Sequence, residues 1–530
     1  MTPSLPSSEE KMSPFMLAIA GAALLLGFLY LVKNHRSSSK LPPSPPSLPL
    51  VGHLHLIGDL PHRSLHALHL RYGIGGLLLL QLGRRRTLVV STASAAADVF
   101  RNHDLAFSSR PHHAAAHKQT YGSRNISFAP YGDHWRRARK VAVVHLLSPR
   151  RVEASASARR AEAAALVARA RRAAMAGESL VVRDLLYGYT NAVVTRVAFG
   201  AAGTTAERLR QLTAHSATLV AGFQADDVLP DAAARVFRWV TGLEKKIDKK
   251  VHDWDKFLSE IMVEHKEKTE HGQGGDGDFM DVLLKLRQEE GSDGFELTDD
   301  GIKAIAKDMI AAATDTTAVA MEWAMVELIS NPRVMSNVQD EVITRVAVAG
   351  DGEQQPGNIT DAELSRMGYL RAVVKETFRL HPPLPLLLPR ESMSAAAVRG
   401  GRYQIPARTT LMVNAWAIGR DPAAWGDAAE EFRPERFLAG GEAEGVDPRG
   451  GGGGGDYRLL PFGAGRRVCP GIGFALPVVE LALASLLRHF DWELTGGVRP
   501  ADLVDMVEAT GLSAPPRVPL VLVPKWKALA

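Results

Sequence analysis

Hydrophobic and polar residues alternate along this chain in several distinct ways, each predicting a different element. Phe15 to Val32, FMLAIAGAALLLGFLYLV, is apolar without interruption and carries no charge. At 18 residues it meets the lower end of what crosses a bilayer as a helix. Short apolar runs at Gly76–Leu82, Thr87–Ser91, Thr410–Val413 and Val518–Val523 have the length and composition of strands. Most other segments repeat their apolar residues with a helical period. Arg150 to Gly177 is rich in Ala, Arg and Glu and free of Gly and Pro until its end, predicting an exposed helix. Ile302 to Asn331 is longer still. Thr298 or Asp299 can cap it, nothing breaks it before Pro332, and it should extend on the order of 45 Å. Ile302, Ile305, Met309, Ile310, Met321, Trp323, Met325 and Leu328 make it apolar over much of its surface, so it should be buried.

The flanks of the first run assign a topology. Lys33, His35, Arg36 and Lys40 follow it, whereas Glu9 and Glu10 precede it with Lys11 as the base beside them. The positive-inside bias then places the bulk of the chain in the cytosol. A cleaved signal peptide fits less well: the run is longer than the usual h-region, and no small-x-small site precedes the basic cluster. Asn125-Ile126-Ser127 and Asn358-Ile359-Thr360 match the glycosylation sequon, and this topology predicts that neither is modified. Next, Leu41 to Pro49 holds five prolines in nine residues, a stiff extended spacer. The expected organisation is a short lumenal N-terminus over 1–14, an anchor helix over 15–32, a basic and proline-rich hinge over 33–49, and one catalytic unit over 50–530. The glycine-containing stretches Gly272–Asp278 and Gly450–Gly455 read as loops where extra length is tolerated.

Composition narrows the chemistry. The 530 residues include 46% hydrophobic and 23% charged residues, an ordinary globular mixture. A mean hydropathy of −0.06 excludes a polytopic membrane protein, though not a single anchor. Net charge is +5, from 63 basic and 58 acidic residues, and over this length it does not indicate nucleic-acid binding. There is one cysteine, Cys469. That excludes internal disulfides, zinc ribbons, CxxC redox pairs and cysteine-held iron–sulfur clusters. No solenoid repeat, P-loop, HExxH or GxSxG is present. The fold class is therefore mainly α with small β-sheets.

Two segments carry candidate chemistry. Midway along the long apolar helix lies Ala311-Ala312-Ala313-Thr314-Asp315-Thr316-Thr317, where a carboxylate and hydroxyls are costly unless hydrogen-bonded or functional. The second is Phe462-Gly463-Ala464-Gly465-Arg466-Arg467-Val468-Cys469-Pro470-Gly471. Its glycines permit a tight turn and close approach to a flat cofactor. Arg467 can balance an anionic group. Cys469 precedes the apolar helix Ile472–Leu487, whose N-terminal amides favour a thiolate.

At these residues the chain resembles the cytochrome P-450 family of haem-thiolate monooxygenases. FGAGRRVCPG is similar to the haem-ligand loop, and Ala312-Ala313-Thr314-Asp315-Thr316 to the oxygen-activation motif. Trp135-Arg136-Arg137-Ala138-Arg139 resembles WxxxR, Glu376-Thr377-Phe378-Arg379 ExxR, and Pro434-Glu435-Arg436-Phe437 PERF. The resemblance implies haem b held by Cys469 as axial ligand, with Phe462, Gly465 and Arg467 in the ligand loop. It implies that Trp135, Arg139, Arg390 and Arg467 neutralise the haem propionates. Asp315 and Thr316 would be the acid–alcohol pair that delivers protons during oxygen activation. Glu376, Arg379 and Arg436 would be a structural ion-pair triad. Ala313 departs from the usual glycine, and its methyl group should narrow the oxygen groove slightly.

Further likeness, in Val51-Gly52-His53-Leu54-His55-Leu56, Phe128–Trp135, Asn414–Pro422 and Phe490–Leu494, is to plant microsomal members of family seventy-one in the A-type clan. The implied partners are an NADPH-dependent reductase, O2 and the endoplasmic reticulum membrane, with no nucleic acid. Arg136, Arg137, Lys140 and Arg466 could form the basic face that meets the reductase. The implied substrate is a small or medium hydrophobic metabolite of the indole or benzoxazinoid, aldoxime or terpenoid kind. Segments around Tyr121–Ile126, Leu219–Asp227 and Leu384–Leu388 should line its pocket, mostly apolar. A flavonoid oxidase of the same clan, or a haem-thiolate isomerase or dehydratase that does not use O2, are the alternatives. The Asp315–Thr316 pair speaks against the latter.

Overall fold

The computed structural model describes residues 40–200, 204–213, 229, 231–271, 277–289, 297–347, 359–449, 455–495 and 506–527. The N-terminal segment 1–14, the anchor 15–32, the start of the hinge, the lining segment Leu219–Asp227, Asn358 and most of both glycine-containing loops lie outside them.

The architecture among the described residues is helical, with three small sheets. β1 (Leu77–Leu82) and β2 (Arg85–Val90) form an antiparallel hairpin, and β2 pairs in parallel with Thr410–Val413, which in turn pairs with Arg390–Glu391. The buried leucines of β1 fill two separate clusters by alternation: Leu77 and Leu79 on one face, Leu78 and Leu80 on the other. The C-terminal strand Val521–Trp526 runs between Phe490–Leu494 and the short Leu180–Val181. It begins three residues later than the hydrophobic run predicts and continues through Pro524. Leu180–Val181 pairs only with Val521 and Leu522, so at Pro524 one side of the strand is open and the missing N–H breaks no ladder bond.

Seven helices position the site. α1 is Asp133–Lys140, α2 Ala156–Ala176, α3 Val182–Phe199, α4 Leu243–Glu270, α5 Asp299–Ser330, α6 Gly368–Leu380 and α7 Ile472–His489. α5 is the long predicted helix. The Thr298 hydroxyl caps it by accepting from the Gly301 amide at 3.2 Å, and it packs along α3 while touching α6 and α7. The stretch Arg150–Gly177 differs from expectation. A short helix, Pro149–Ala154, is separated from α2 at Ser155, and one face of α2 is buried through Arg159, Glu162, Ala163, Leu166, Val167 and Ala170. The alanines that look like surface helix formers instead allow close packing on α3 and α7. α7 has the length and apolarity of a membrane span, yet two-thirds of it is buried inside the domain, so it is the core helix.

Candidate active site

A cavity of about 340 Å³ lies between α5, the loop before α7 and the segment Arg110–Arg139. Its walls are mostly apolar. Cys469 lines it from the loop before α7, and Ala312, Ala313, Asp315 and Thr316 line it from α5. Trp135, Arg139, Arg390, Phe462 and Arg467 line it as well. Residues of three of the sequence motifs, from Trp135 to Cys469, thus converge on one space.

The Cys469 loop is built by backbone geometry. Gly463 and Gly465 sit at φ +70° and +62°, in the left-handed region that favours glycine. A Cβ on Gly465 would stand 2.1 Å from Asp104 Oδ1, so the position has no room for a side chain. Gly465 does not line the cavity; it lets the loop close over Asp104, which accepts from the Arg466 amide at 3.0 Å and from Arg390 Nη1 at 3.1 Å. The Cys469 amide donates to the Phe462 carbonyl at 2.9 Å, and the Gly471 amide points at Sγ from 3.4 Å. Burial pushes the thiol above its usual range, while the Gly471 amide and Arg139 pull it down. A coordinated metal ion removes that proton outright.

Cationic groups crowd one side. Arg467 donates to the Ser108, Ile126 and Ala129 carbonyls at 2.7, 3.2 and 2.7 Å, with its guanidinium 4.1 Å from the Trp135 ring centre. The Trp135 indole donates to the Ile126 carbonyl at 3.1 Å, and Arg139 Nη2 to the Val468 carbonyl at 2.7 Å. Arg390 bridges Asp104 and the Ala464 carbonyl. Arg110 joins them, although no sequence motif singled it out. It is buried and donates to the Ser127, Leu388 and Pro389 carbonyls, each at 2.8 Å.

These guanidinium groups depress one another. Burial first, then mutual repulsion, pulls Arg467 down to about 9 and Arg110 well below its usual range; Arg390 falls to about 10, where Asp104 partly offsets the burial. Buried charges need partners, and Asp104 and Asp308 are the carboxylates that act on this cluster. Excess positive charge around a cavity lined by a thiol fits haem, whose two propionates supply negative charge and whose iron binds sulfur.

On α5, the Thr316 hydroxyl donates back to the Ala312 carbonyl at 2.6 Å, and the helix is unbroken through Ala313. Burial raises the Asp315 carboxyl to about 7, opposed by Lys250 of α4. Asp308, two turns earlier, is buried and accepts from Asn125 Nδ2 and from the Ile126 and Ser127 amides at 2.9–3.0 Å. It holds the loop over the cavity. Asn125 is buried in the folded chain.

Glu376, Arg379 and Arg436 lie away from the cavity. Arg379 binds Glu376 through two parallel hydrogen bonds of 2.7 and 2.8 Å, and Arg436 Nε reaches Glu376 at 3.0 Å, with all three side chains 0% exposed. The Arg379 guanidinium also donates to the Gly419 and Glu431 carbonyls at 2.6 and 2.9 Å, and Arg436 ties the PERF segment to α6 through Glu376.

A mostly helical fold whose cavity is lined by a half-buried thiol, an acid–alcohol pair and a cluster of arginines has the site of a haem-thiolate oxygenase. The chain belongs to the cytochrome P-450 family, whose profile matches residues 42–520. It is a P-450 monooxygenase with a haem cofactor and reductase-supplied electrons. It is similar to norfluorocurarine oxidase of Strychnos, 39% identical over 97% of this chain and 98% of the relative. It is also 41% identical to a 3-hydroxyindolin-2-one monooxygenase of Zea mays over 96% of this chain and 94% of that protein. Likeness to cytochrome P-450 71A1 of Persea americana, 40% identical over 89% and 91% of the two chains, supports a plant protein resembling family seventy-one. A zebra fish cytochrome P-450 structure with progesterone shares the fold at TM-score 0.70 and 24% identity, covering 88% of this chain and 99% of that one.

Proposed function

We propose that this protein is a single-pass endoplasmic reticulum enzyme, anchored by residues 15–32, with its catalytic unit in the cytosol. It inserts one oxygen atom from O2 into a small or medium hydrophobic plant secondary metabolite of the indole or benzoxazinoid, aldoxime or terpenoid class. Electrons come from an NADPH-dependent P-450 reductase. The observation that carries the reading is the position of the Cys469 thiol and the Asp315–Thr316 pair on one mostly apolar cavity.

Bound haem supplies the redox centre that activates O2. Cys469 would hold the haem iron through its thiolate, whose electron donation would favour O–O cleavage. Arg139 and Arg467, over the Trp135 ring, and Arg390, over Phe100, would balance the propionates, and Phe462 and Gly463 would line the haem site. Gly465 and the Glu376–Arg379–Arg436 triad hold the loop and the core that carry these groups. Thr316 holds a hydroxyl proton at the cavity wall, and Asp315, poised near neutrality, exchanges protons with it. The apolar walls around them exclude bulk water, so protons arrive by this route rather than at random.

Cys469→Ala tests the assignment. The reduced carbon-monoxide spectrum of the wild type should show the thiolate-type Soret band, and the variant should lose it, since no second cysteine can substitute. A histidine-type band in the wild type would refute thiolate ligation. Substrate class is read by screening indoles, aldoximes and terpenoids on membranes that also contain the reductase, first by low- to high-spin shifts and then by products.

A further inference from the structure

α5 lines the cavity from Ala304 to Ala320, and its apolar wall is interrupted early by Lys307 and Asp308. Asp308 is fully engaged by the three donors of residues 125–127. Lys307 is different. Its side chain is buried, and among the described residues its ammonium donates to one acceptor, the Gln119 carbonyl at 2.7 Å, above the Trp254 ring at 5.2 Å. An ammonium has three donors.

Gln119 ends the short helix Ala114–Gln119, which packs on α4. It is 4% exposed, and its side-chain nitrogen has no hydrogen-bond partner. Gln119, Lys307 and Trp254 all line the cavity. A buried amide without a partner, next to an ammonium with spare donors, is costly as a purely structural arrangement. Both unmet groups are donors, and the bond between Lys307 and the Gln119 carbonyl fixes them beside each other. The neighbouring charges are Lys250, which adds to the positive field, and Asp308, which partly offsets it.

We infer that Lys307 and Gln119 form a polar pole of the substrate cavity that binds a carbonyl or carboxylate oxygen of the substrate. The inference rests on the monooxygenase reading above and narrows its substrate class to hydrophobic molecules bearing such an oxygen. Thr316 lies nine positions beyond Lys307, roughly 13 Å along the helix axis. The oxygen therefore sits at one end of the substrate and the oxidised carbon at the other, on the order of 10 Å apart.

The test uses the membrane-purified holoenzyme and three matched probes: a methylnaphthalene carboxylate, the corresponding methyl ketone and the corresponding ethyl hydrocarbon. Dissociation constants come from the low- to high-spin Soret shift. In the wild type the acid and the ketone should each bind at least about tenfold more tightly than the hydrocarbon, the ratio expected for a hydrogen bond to a charged group. Lys307→Met should bring the three within about twofold, while Lys307→Arg should retain the preference. Gln119→Leu, titrated in the same way, should cut the preference by at least about threefold, and decides the matter if Lys307→Met does not bind haem. No preference in the wild type, or a preference that survives both Lys307→Met and Gln119→Leu, would overturn the inference. The thiolate-type carbon-monoxide band, recorded on every sample, reports separately on the monooxygenase reading.

Discussion

At the residue scale the decisive quantities are charges placed where water is scarce. Asp315 shows the sign most clearly. Its carboxyl is ordinarily acidic, near 3.8, and burial raises it to about 7 in the folded chain. Between those values the folded state keeps a proton that the unfolded state has released, so this group makes stability fall as pH rises through that window. Asp315→Asn has no such proton to release. Thermal melts of the two holoenzymes should therefore diverge with pH: the variant gains relative to the wild type between about pH 4 and 7, and the gap is constant above. A gap independent of pH would contradict the raised carboxyl. Turnover should separate from stability, because an amide at this position relays protons poorly, and the fraction of electrons lost as hydrogen peroxide should rise.

Elements convert these charges into geometry. The triad that joins α6 to the PERF segment places two guanidinium groups against one carboxylate with no solvent access. Glu376→Gln leaves Arg379 without its counter-charge and Arg436 with only the exposed Glu442, a change that typically costs about 3–5 kcal/mol. The expected result is little or no carbon-monoxide-active protein despite normal synthesis, whereas an exposed control such as Glu444→Gln should be silent. Much at this scale was legible in the chain itself. α5 and the Cys469 loop depend on local signals: a cap, an uninterrupted apolar period, glycines at fixed offsets. Other features were not. Arg110 carries no motif, and its role arises because residues 127 and 388–389, distant in sequence, offer carbonyls to one guanidinium. Lys307 was visible as a charge on an apolar helix, but its partner Gln119 lies 188 positions away. The C-terminal strand runs on through Pro524, beyond the apolar run, because strand pairing, not the residue, decides whether a missing N–H matters.

For the whole molecule, α1 links the cavity to the outside. Arg139 on its inner face bonds the carbonyl beside Cys469, while Arg136, Arg137 and Lys140 on the same helix are exposed, as is Arg466 in the loop. These outward charges partly engage local carboxylates: Arg136 meets Asp133 at 2.5 Å, and Arg466 meets Asp104 at 3.5 Å. An acidic reductase domain would compete for them in a salt-dependent way. Replacing Arg137 and Lys140 with Ala should slow reductase-driven turnover several-fold at low salt, yet leave peroxide-driven turnover unchanged. Equal loss of both activities would place these residues in the fold and not in the partner surface.

The arginine cluster has a consequence for the life of the protein in the cell. Arg110, Arg390 and Arg467 staple together segments near residues 104–129, 388–390 and 464, and they do so against their own repulsion. A chain made when haem is scarce must keep that repulsion uncompensated, so its staples open first and the unmet segments become substrates for proteases and chaperones. Cofactor supply then governs abundance as well as activity, through binding that stabilises the folded form alone. Haem-starved cells should hold less of this polypeptide at unchanged synthesis, with cleavage beginning near residues 104–129.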